Sequence, residues 1–333
     1  MIRAVDVGFG RVKGLGSSSQ VSFPSVVGDF RPIRFTSGLE QKDWVDRLCV
    51  EYRDRQYFVG SMAFKQAKAR VTMNAQRFTS EEGMALLMAA LALLADETVE
   101  TVKLATGLPV SEYARLKEDY REALEDRHEI KVLTPDGNEL ETFDFAIDDV
   151  KILPQPVGTI FDAVLDKSGG LAEKELAAGK VAVLDIGRNT VDMALTDSLS
   201  FVDRQSVSYD DIGLDDAYRD LSAELKSTLG VNIPPESIEP YLQSGVIKKK
   251  SIGQEKERVF GDQAEKIASR VFNTWKEIWD IDKIIITGGG AVILGDYIAR
   301  ALGSPEQLEI YQDELATFSN VAGFAKFAKR AWG

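Results

Sequence analysis

The chain is 333 residues long and 44% apolar, with a formal net charge of −13, a balance that excludes general binding of nucleic acid or anionic membranes across its surface. One cysteine, Cys49, excludes an internal disulfide, and one histidine, His128, excludes a His/Cys metal centre or a two-histidine mechanism. The length allows two domains with a sizeable core, and the cysteine usage fits the cytoplasm.

The first sixty residues read as β structure. IRAVDVG is a strand, too short an apolar run before Asp6 for a signal peptide. GRVKGLG continues it as a hairpin, and VSFPSVV is a third run. LCVEYRDRQYFVGS alternates around a turn at Asp54-Arg55. Thr79-Ser80-Glu81-Glu82 has the Thr-x-x-Glu form of a capping box and opens GMALLMAALALLA. That run falls short of the roughly 20 residues a bilayer span needs, so it predicts a buried helix. TVKLATGLPV is strand-like up to its Gly-Leu-Pro breaker, and Ser111 caps the helix EYARLKEDYREALED. A turn at Pro135-Asp136-Gly137 separates two more strands. DDVKILPQPVGTIFDAVLD then reads as strand, Pro-bracketed kink and helix.

From Lys180 the pattern restarts. KVAVLDIG and TVDMALT are strands joined at Gly187, and GLDDAYRDLSAELKSTLG is a helix ended by Gly230. YLQSGVIKKKS is a strand-and-loop excursion. GDQAEKIASRVFNTWKEIWD carries a helical stripe at 264, 267, 268, 271, 272, 275, 278 and 279. DKIIITGGG is a buried strand running into three glycines, and NVAGFAKFAKRAWG is a short amphipathic helix that docks on the first domain.

Two of these strands end alike. Asp6 is followed by Gly8, Gly10 and Lys13; Asp185 is followed by Gly187, Asn189, Thr190 and Asp192. A carboxylate at the end of a buried strand loses hydration and needs a compensating partner. Magnesium, which keeps its waters and takes phosphate oxygens, would serve both acids. The glycines let backbone N–H groups approach phosphate, Lys13 adds a point charge, Thr190 offers a hydroxyl, and Asp192 orients the loop or the metal's waters. Gly288, Gly289 and Gly290 suit close approach of backbone to an adenosine ring. Each element alone is equally an ordinary strand-turn; together they read as a nucleotide-phosphate clamp built from two hairpins. The repetition suggests an approximate duplication, with two α/β halves facing a cleft. No Walker loop stands in the sequence.

VDVGFGRVK, LPQPVGTIFDAV, LDIGRNTVDM and IIITGGGAVIL, in that order, resemble the first phosphate, first connecting, second phosphate and adenosine motifs of the actin/Hsp70/sugar-kinase ATPase superfamily. ATGLPVSEYARLKE is similar to the bacterial plasmid-segregation actins of the ParM/StbA type, with archaeal actin-like ATPases as close neighbours. The resemblance implies an α/β actin-like ATPase fold of two RNase H-like domains around a nucleotide cleft. Residues 1–158 plus 310–333 would form domain I and 159–309 domain II. It implies binding of ATP or GTP with Mg2+, self-assembly into filaments that hydrolysis destabilises, and plasmid segregation through a DNA-bound adaptor protein, without direct contact to nucleic acid or membrane. Asp6 and Asp185 would hold magnesium through water and, with Gln155, form the catalytic set. Gln155 would orient the attacking water; the plainer reading is that it fills a kink between Pro154 and Pro156. Gly8, Gly10 and Lys13 would form the first phosphate loop, and Gly187, Asn189 and Thr190 the second. Gly213 would open a helix near ribose and phosphates, and the helix bearing Gln263, Glu265 and Lys266 would face adenine. Arg188 stands where the family commonly has glycine; it reaches phosphate, a neighbouring subunit or solvent. A small-metabolite kinase with the same cleft is the alternative of a different class.

The remaining features have plain expectations. His128, among charges, is a surface residue; Cys49 is a buried strand residue; Lys248, Lys249 and Lys250 form a solvated loop or strand edge; Trp275 and Trp279 pack into the core along the helical stripe.

Overall fold

The computed structural model of the chain describes residues 1–34, 44–68 and 75–333. These form two compact units, Met1–Ala172 with Asn320–Gly333, and Glu173–Ser319.

The first unit is built on a nine-stranded sheet. Its strands are β1 (Ile2–Val7), β2 (Arg11–Leu15), β3 (Gln20–Pro24), β4 (Val27–Asp29), β5 (Cys49–Tyr52), β6 (Arg55–Val59), β7 (Val99–Leu108), β8 (Arg127–Leu133) and β9 (Glu139–Pro154), in the order β3-β2-β1-β7-β9-β8-β5-β6-β4. β1, β7 and β9 run parallel, so their carboxyl ends share one edge. The helices are α1 (Ser61–Gln66), α2 (Glu81–Leu94), α3 (Val110–Leu124) and α4 (Gln155–Val164). α2 is apolar all round and almost wholly buried, as such a helix must be to avoid exposing a greasy face. It belongs to the same core cluster as Val5, Leu104 and Ile130 of the sheet. Removing one of its buried leucines would cost about 2–5 kcal/mol.

In the second unit α5 (Lys174–Ala178) leads into β10 (Lys180–Ile186), β11 (Val191–Asp197), β12 (Ser200–Phe201) and β13 (Val207–Tyr209). α6 (Leu214–Leu229), α7 (Glu239–Ser244), a two-stranded hairpin of β14 (Val246–Ile247) and β15 (Lys250–Ser251), and α8 (Gly253–Thr274) follow. β16 (Lys283–Thr287), α9 (Ala291–Ala301), β17 (Leu308–Ile310) and α10 (Asp313–Trp332) complete the chain. The sheet order is β12-β11-β10-β16-β17, with β13 on β11. β10, β16 and β17 are parallel, and Val181–Leu184 are buried throughout, the pattern of a strand covered on both faces. No helix among the described residues is long and apolar enough to cross a membrane.

The compact units divide at 172 and 320, where the resemblance sets domain limits at 158 and 310. The chain between 159 and 172 stays with the first unit because α10 grips it. Lys326 Nζ donates to the Asp162 carbonyl at 2.6 Å, Arg330 to the Gly169 carbonyl at 3.2 Å, and Thr159 Oγ1 to Asn320 Oδ1 at 2.7 Å. α10 is also longer than the sequence indicated, beginning at Asp313.

Several local expectations shift. The β5–β6 turn is Arg53-Asp54, one residue early, with φ of 50° and 60° as a tight two-residue hairpin turn requires. Ser80 rather than Thr79 caps α2, accepting from Gly83 N at 3.1 Å. α3 starts at Val110 behind Pro109, so Ser111 is inside the helix. The excursion at 241–251 holds the short helix α7 before its hairpin. α8 stops at Thr274, where the chain leaves the helix; Trp275 is buried, Trp279 beyond the turn is 76% exposed, and Phe272, still within the helix, is also exposed. His128 is buried, not on the surface: strand alternation puts it on the same face as Ile130 and Val132. Cys49 is buried, burial pushing its thiol pKa up to about 12, and Lys248–Lys250 are exposed at a hairpin tip, both as expected.

Candidate functional site

The carboxyl ends of β1, β7 and β9 bring together residues far apart in sequence. Asp6, next to last in β1, is 2% exposed. Gln155 opens α4 directly after β9, and its Nε2 donates to Asp6 Oδ1 at 2.8 Å. With the amide nitrogen committed to the carboxylate, Oε1 is the acceptor the side chain offers a water. Lys13 is the cross-strand partner of Asp6 on β2, and its Nζ stands 3.4 Å from Oδ2. The desolvated carboxylate therefore meets two donors from this chain. Gly107 at the end of β7 leaves room for Gln155: a Cβ there would lie 2.9 Å from its Cγ and 2.5 Å from Phe324. α4 is held by a backbone-to-backbone crossing with α10, where a Cβ on Gly323 would fall 1.6 Å from the Gly158 carbonyl oxygen.

Gly8 and Gly10 flank Phe9 in the β1–β2 loop. The Gly10 carbonyl accepts from Ser25 N at 3.1 Å and the Gly8 carbonyl from Arg77 Nη2 at 3.1 Å. The sequence reading missed Ser25 and Arg77, and no motif marks them. Arg77 is buried, which pushes its pKa down to about 10, opposed by Tyr120 and Asp6; it remains a cation at neutral pH.

The second unit repeats the hairpin with a different cross-strand pair. Asp185 faces Asp192 across β10–β11, where the first unit has Asp6 facing Lys13. Two carboxylates in register repel unless other groups answer them. Asp192, buried, takes Thr190 Oγ1 on Oδ2 at 2.8 Å and the Ser208 hydroxyl on Oδ1. Asp185 is half-buried beside β16. The loop closes on itself through Gly187 N to the Thr190 carbonyl at 2.9 Å, with Asn189 and Thr190 half-buried. Its carbonyls also cap α6: Gly187 accepts from Leu214 N and Arg188 from Asp215 N, at 3.2 and 2.8 Å. Gly213 is needed there, because a Cβ would fall 2.6 Å from the Arg188 carbonyl oxygen. Gln263 of α8 is buried and donates to the Gly213 carbonyl at 3.2 Å. Arg188 pairs with Asp215, a partner the sequence reading did not foresee.

The three glycines after β16 differ in role. Gly288 has φ of 88°, and a Cβ there would sit 2.2 Å from Asp185 Oδ1; Gly290 would collide with Ile186 at 2.4 Å. A Cβ on Gly289, which is exposed, would meet nothing within 4 Å among the described residues beyond its chain neighbours. Each unit thus offers one acid-bearing glycine loop. Among the described residues no group of three or more His, Cys, Asp or Glu side chains is placed to hold a metal. Both oxygens of Asp6 receive a donor from this chain, and a single carboxylate at this loop suits a cation that completes its shell with water and phosphate, as magnesium does.

The N-terminal family of actin-like proteins matches residues 4–158, and the C-terminal family of MreB-like archaeal actin homologues matches 183–300. No curated protein sequence matches the chain. Among solved structures, the apo pSK41 ParM protein is 25% identical at a TM-score of 0.75, covering 98% of this chain and 96% of that one. A 15-stranded ParM filament from Clostridium botulinum is 20% identical at 0.78, covering 99% of both chains. The archaeal actin homologue Ta0583 in complex with ADP is 21% identical at 0.78, again covering 99% of both.

Proposed function

The chain belongs to the actin-like superfamily, and on that premise we propose that it is a cytoplasmic ATPase whose copies assemble into filaments under nucleotide control. The carrying observation is Gln155 Nε2 on Asp6 at 2.8 Å, which leaves Oε1 to place a water. The likeness to the ADP complex of Ta0583 and to the C. botulinum filament supports nucleotide binding and self-assembly.

In this reading the loop of Gly8, Gly10 and Lys13 and the loop of Gly187, Asn189 and Thr190 are each suited to take phosphate oxygens. Asp6 and Asp185 would each take waters of a magnesium ion, which would supply charge neutralisation on the phosphates. Asp192 keeps Thr190 oriented through their 2.8 Å bond. Gly213, at the opening of α6, would meet sugar and phosphate, and Gly288, Gly289 and Gly290 would line the base side. Gln155 contributes orientation more than proton abstraction, because an amide is a poor base. A DNA-bound adaptor as partner and plasmid segregation as the task are the finer parts of the proposal, and the ParM resemblance supports them; the nucleotide is ATP or GTP.

Light scattering and phosphate release, followed together after addition of Mg-ATP, test it. Scattering that rises at once, with phosphate released later, is the expected result, and Asp185→Ala abolishes turnover. Turnover that requires an added metabolite and brings no scattering would make the protein a kinase. Undiminished turnover in Asp185→Ala would remove the metal assignment.

A further inference from the structure

Beneath the first glycine loop lies a brace. Arg77 comes from the short helical turn Ala75–Phe78 ahead of α2 and is 2% exposed. Its Nη2 donates both to the Gly8 carbonyl at 3.1 Å and to Ser25 Oγ at 2.6 Å. Ser25, itself buried, donates its backbone N–H to the Gly10 carbonyl at 3.1 Å. Both glycines of the loop are therefore held from the same side, one by Arg77 and one by Ser25, and the two holders are bonded to each other. The guanidinium also lies 4.9 Å from the centre of the Phe9 ring, so it packs under the residue between the glycines.

A trans peptide points its C=O and its N–H in opposite directions. Pinning the Gly8 carbonyl toward Arg77 therefore aims the N–H of Phe9 the other way. We propose that Arg77, braced by Ser25, is a positioning residue that presents the backbone of the Gly8–Gly10 loop to a phosphate group of the bound nucleotide. This rests on the nucleotide reading above and adds to it the group that makes the loop an anion site. A loop of glycines is conformationally loose when unsupported, and an amide donor that must be ordered on binding costs affinity. The buried cation acts in the same direction, since its field favours a polyanion close to Asp6.

The test compares Mg-ADP with adenosine as ligands, by calorimetry, for the wild-type chain, Arg77→Gln, Arg77→Lys and Ser25→Ala, with a melting curve for each. Arg77→Gln should weaken ADP about tenfold or more, the scale of one charged hydrogen bond, and leave adenosine within about twofold. Arg77→Lys should recover part of the loss by keeping the charge and one donor, and Ser25→Ala should lose less than Arg77→Gln, again for ADP only. Equal losses for ADP and adenosine would reduce Arg77 to a folding tie, and unchanged ADP affinity in Arg77→Gln would overturn the proposal. If Arg77→Gln does not fold, Ser25→Ala decides: a loss confined to ADP supports the brace, and no loss or a uniform one removes it. A wild-type chain that binds neither ADP nor ATP fails at the nucleotide reading itself, before any variant is compared.

Discussion

Gln155 sits where an amide does more than a carboxylate would. Its nitrogen satisfies the buried Asp6, whereas a glutamate in its place would set two acids against each other. Gln155→Ala is expected to lower kcat for phosphate release about a hundredfold with KM little changed, because positioning of water is lost while binding groups remain; steady-state phosphate assays check this. His128 shows residue-scale chemistry of another kind. Nδ1 accepts from Tyr52 Oη at 2.9 Å and Nε2 donates to the Leu124 carbonyl at 3.0 Å, so the neutral ring is fully used. Burial pushes its pKa down, partly opposed by the Leu124 bond; Arg53 acts with burial and Asp126 against it. The unfolded chain, with a histidine pKa of about 6.5, then takes up the proton before the folded one. The His128 contribution is complete above that pH and is lost as pH falls from about 6.5 toward the lower folded value. Melting curves should show His128→Gln less stable than wild type at pH 8, with the gap narrowing at pH 5.5.

At the scale of elements, the site depends on how closely backbones approach. α4 and α10 touch at Gly158 and Gly323, and that crossing fixes the turn of helix that starts at Gln155. Gly323→Ala should destabilise the chain by about 3 kcal/mol, because neither backbone can yield to the added carbon; denaturant unfolding measures it. The position of Gln155 was legible in the sequence as a Pro-bracketed break after a strand, and both hairpins were legible as acid-tipped strands running into glycine. The misplaced elements have a common cause. The stripe assigned to Trp275 and Trp279 followed helical spacing past Thr274, where the backbone leaves the helix, and spacing carries no information about where hydrogen bonding stops. His128 could have been placed from its alternation with Ile130 and Val132; the flanking charges in EDRHEIK obscured that period.

For the whole molecule, charge bears on the proposed assembly. Copies carrying −13 each repel one another at long range, so a filament must overcome that repulsion with short-range contacts. Raising ionic strength from about 0.01 to 0.15 M shortens the screening length from about 30 to 8 Å. The critical concentration for assembly with Mg-ATP should therefore fall over that range; pelleting at graded protein concentrations measures it. A critical concentration that rises with salt would mean that opposite-charge contacts between subunits dominate instead.

The sequence by itself determined the acid-tipped strands, the buried helix α2 and the order of the four motifs, because strand alternation, apolar runs and glycine placement are local properties of the chain. The tertiary structure decided which residues meet. Lys13 faces Asp6 while Asp192 faces Asp185, a difference fixed by strand register and absent from the motif spacing. Arg77 reaches Gly8 across 69 positions and Gln155 reaches Asp6 across 149. Such contacts form only when parallel strands and packed helices bring distant carboxyl ends and loops to one edge, and no local pattern encodes them.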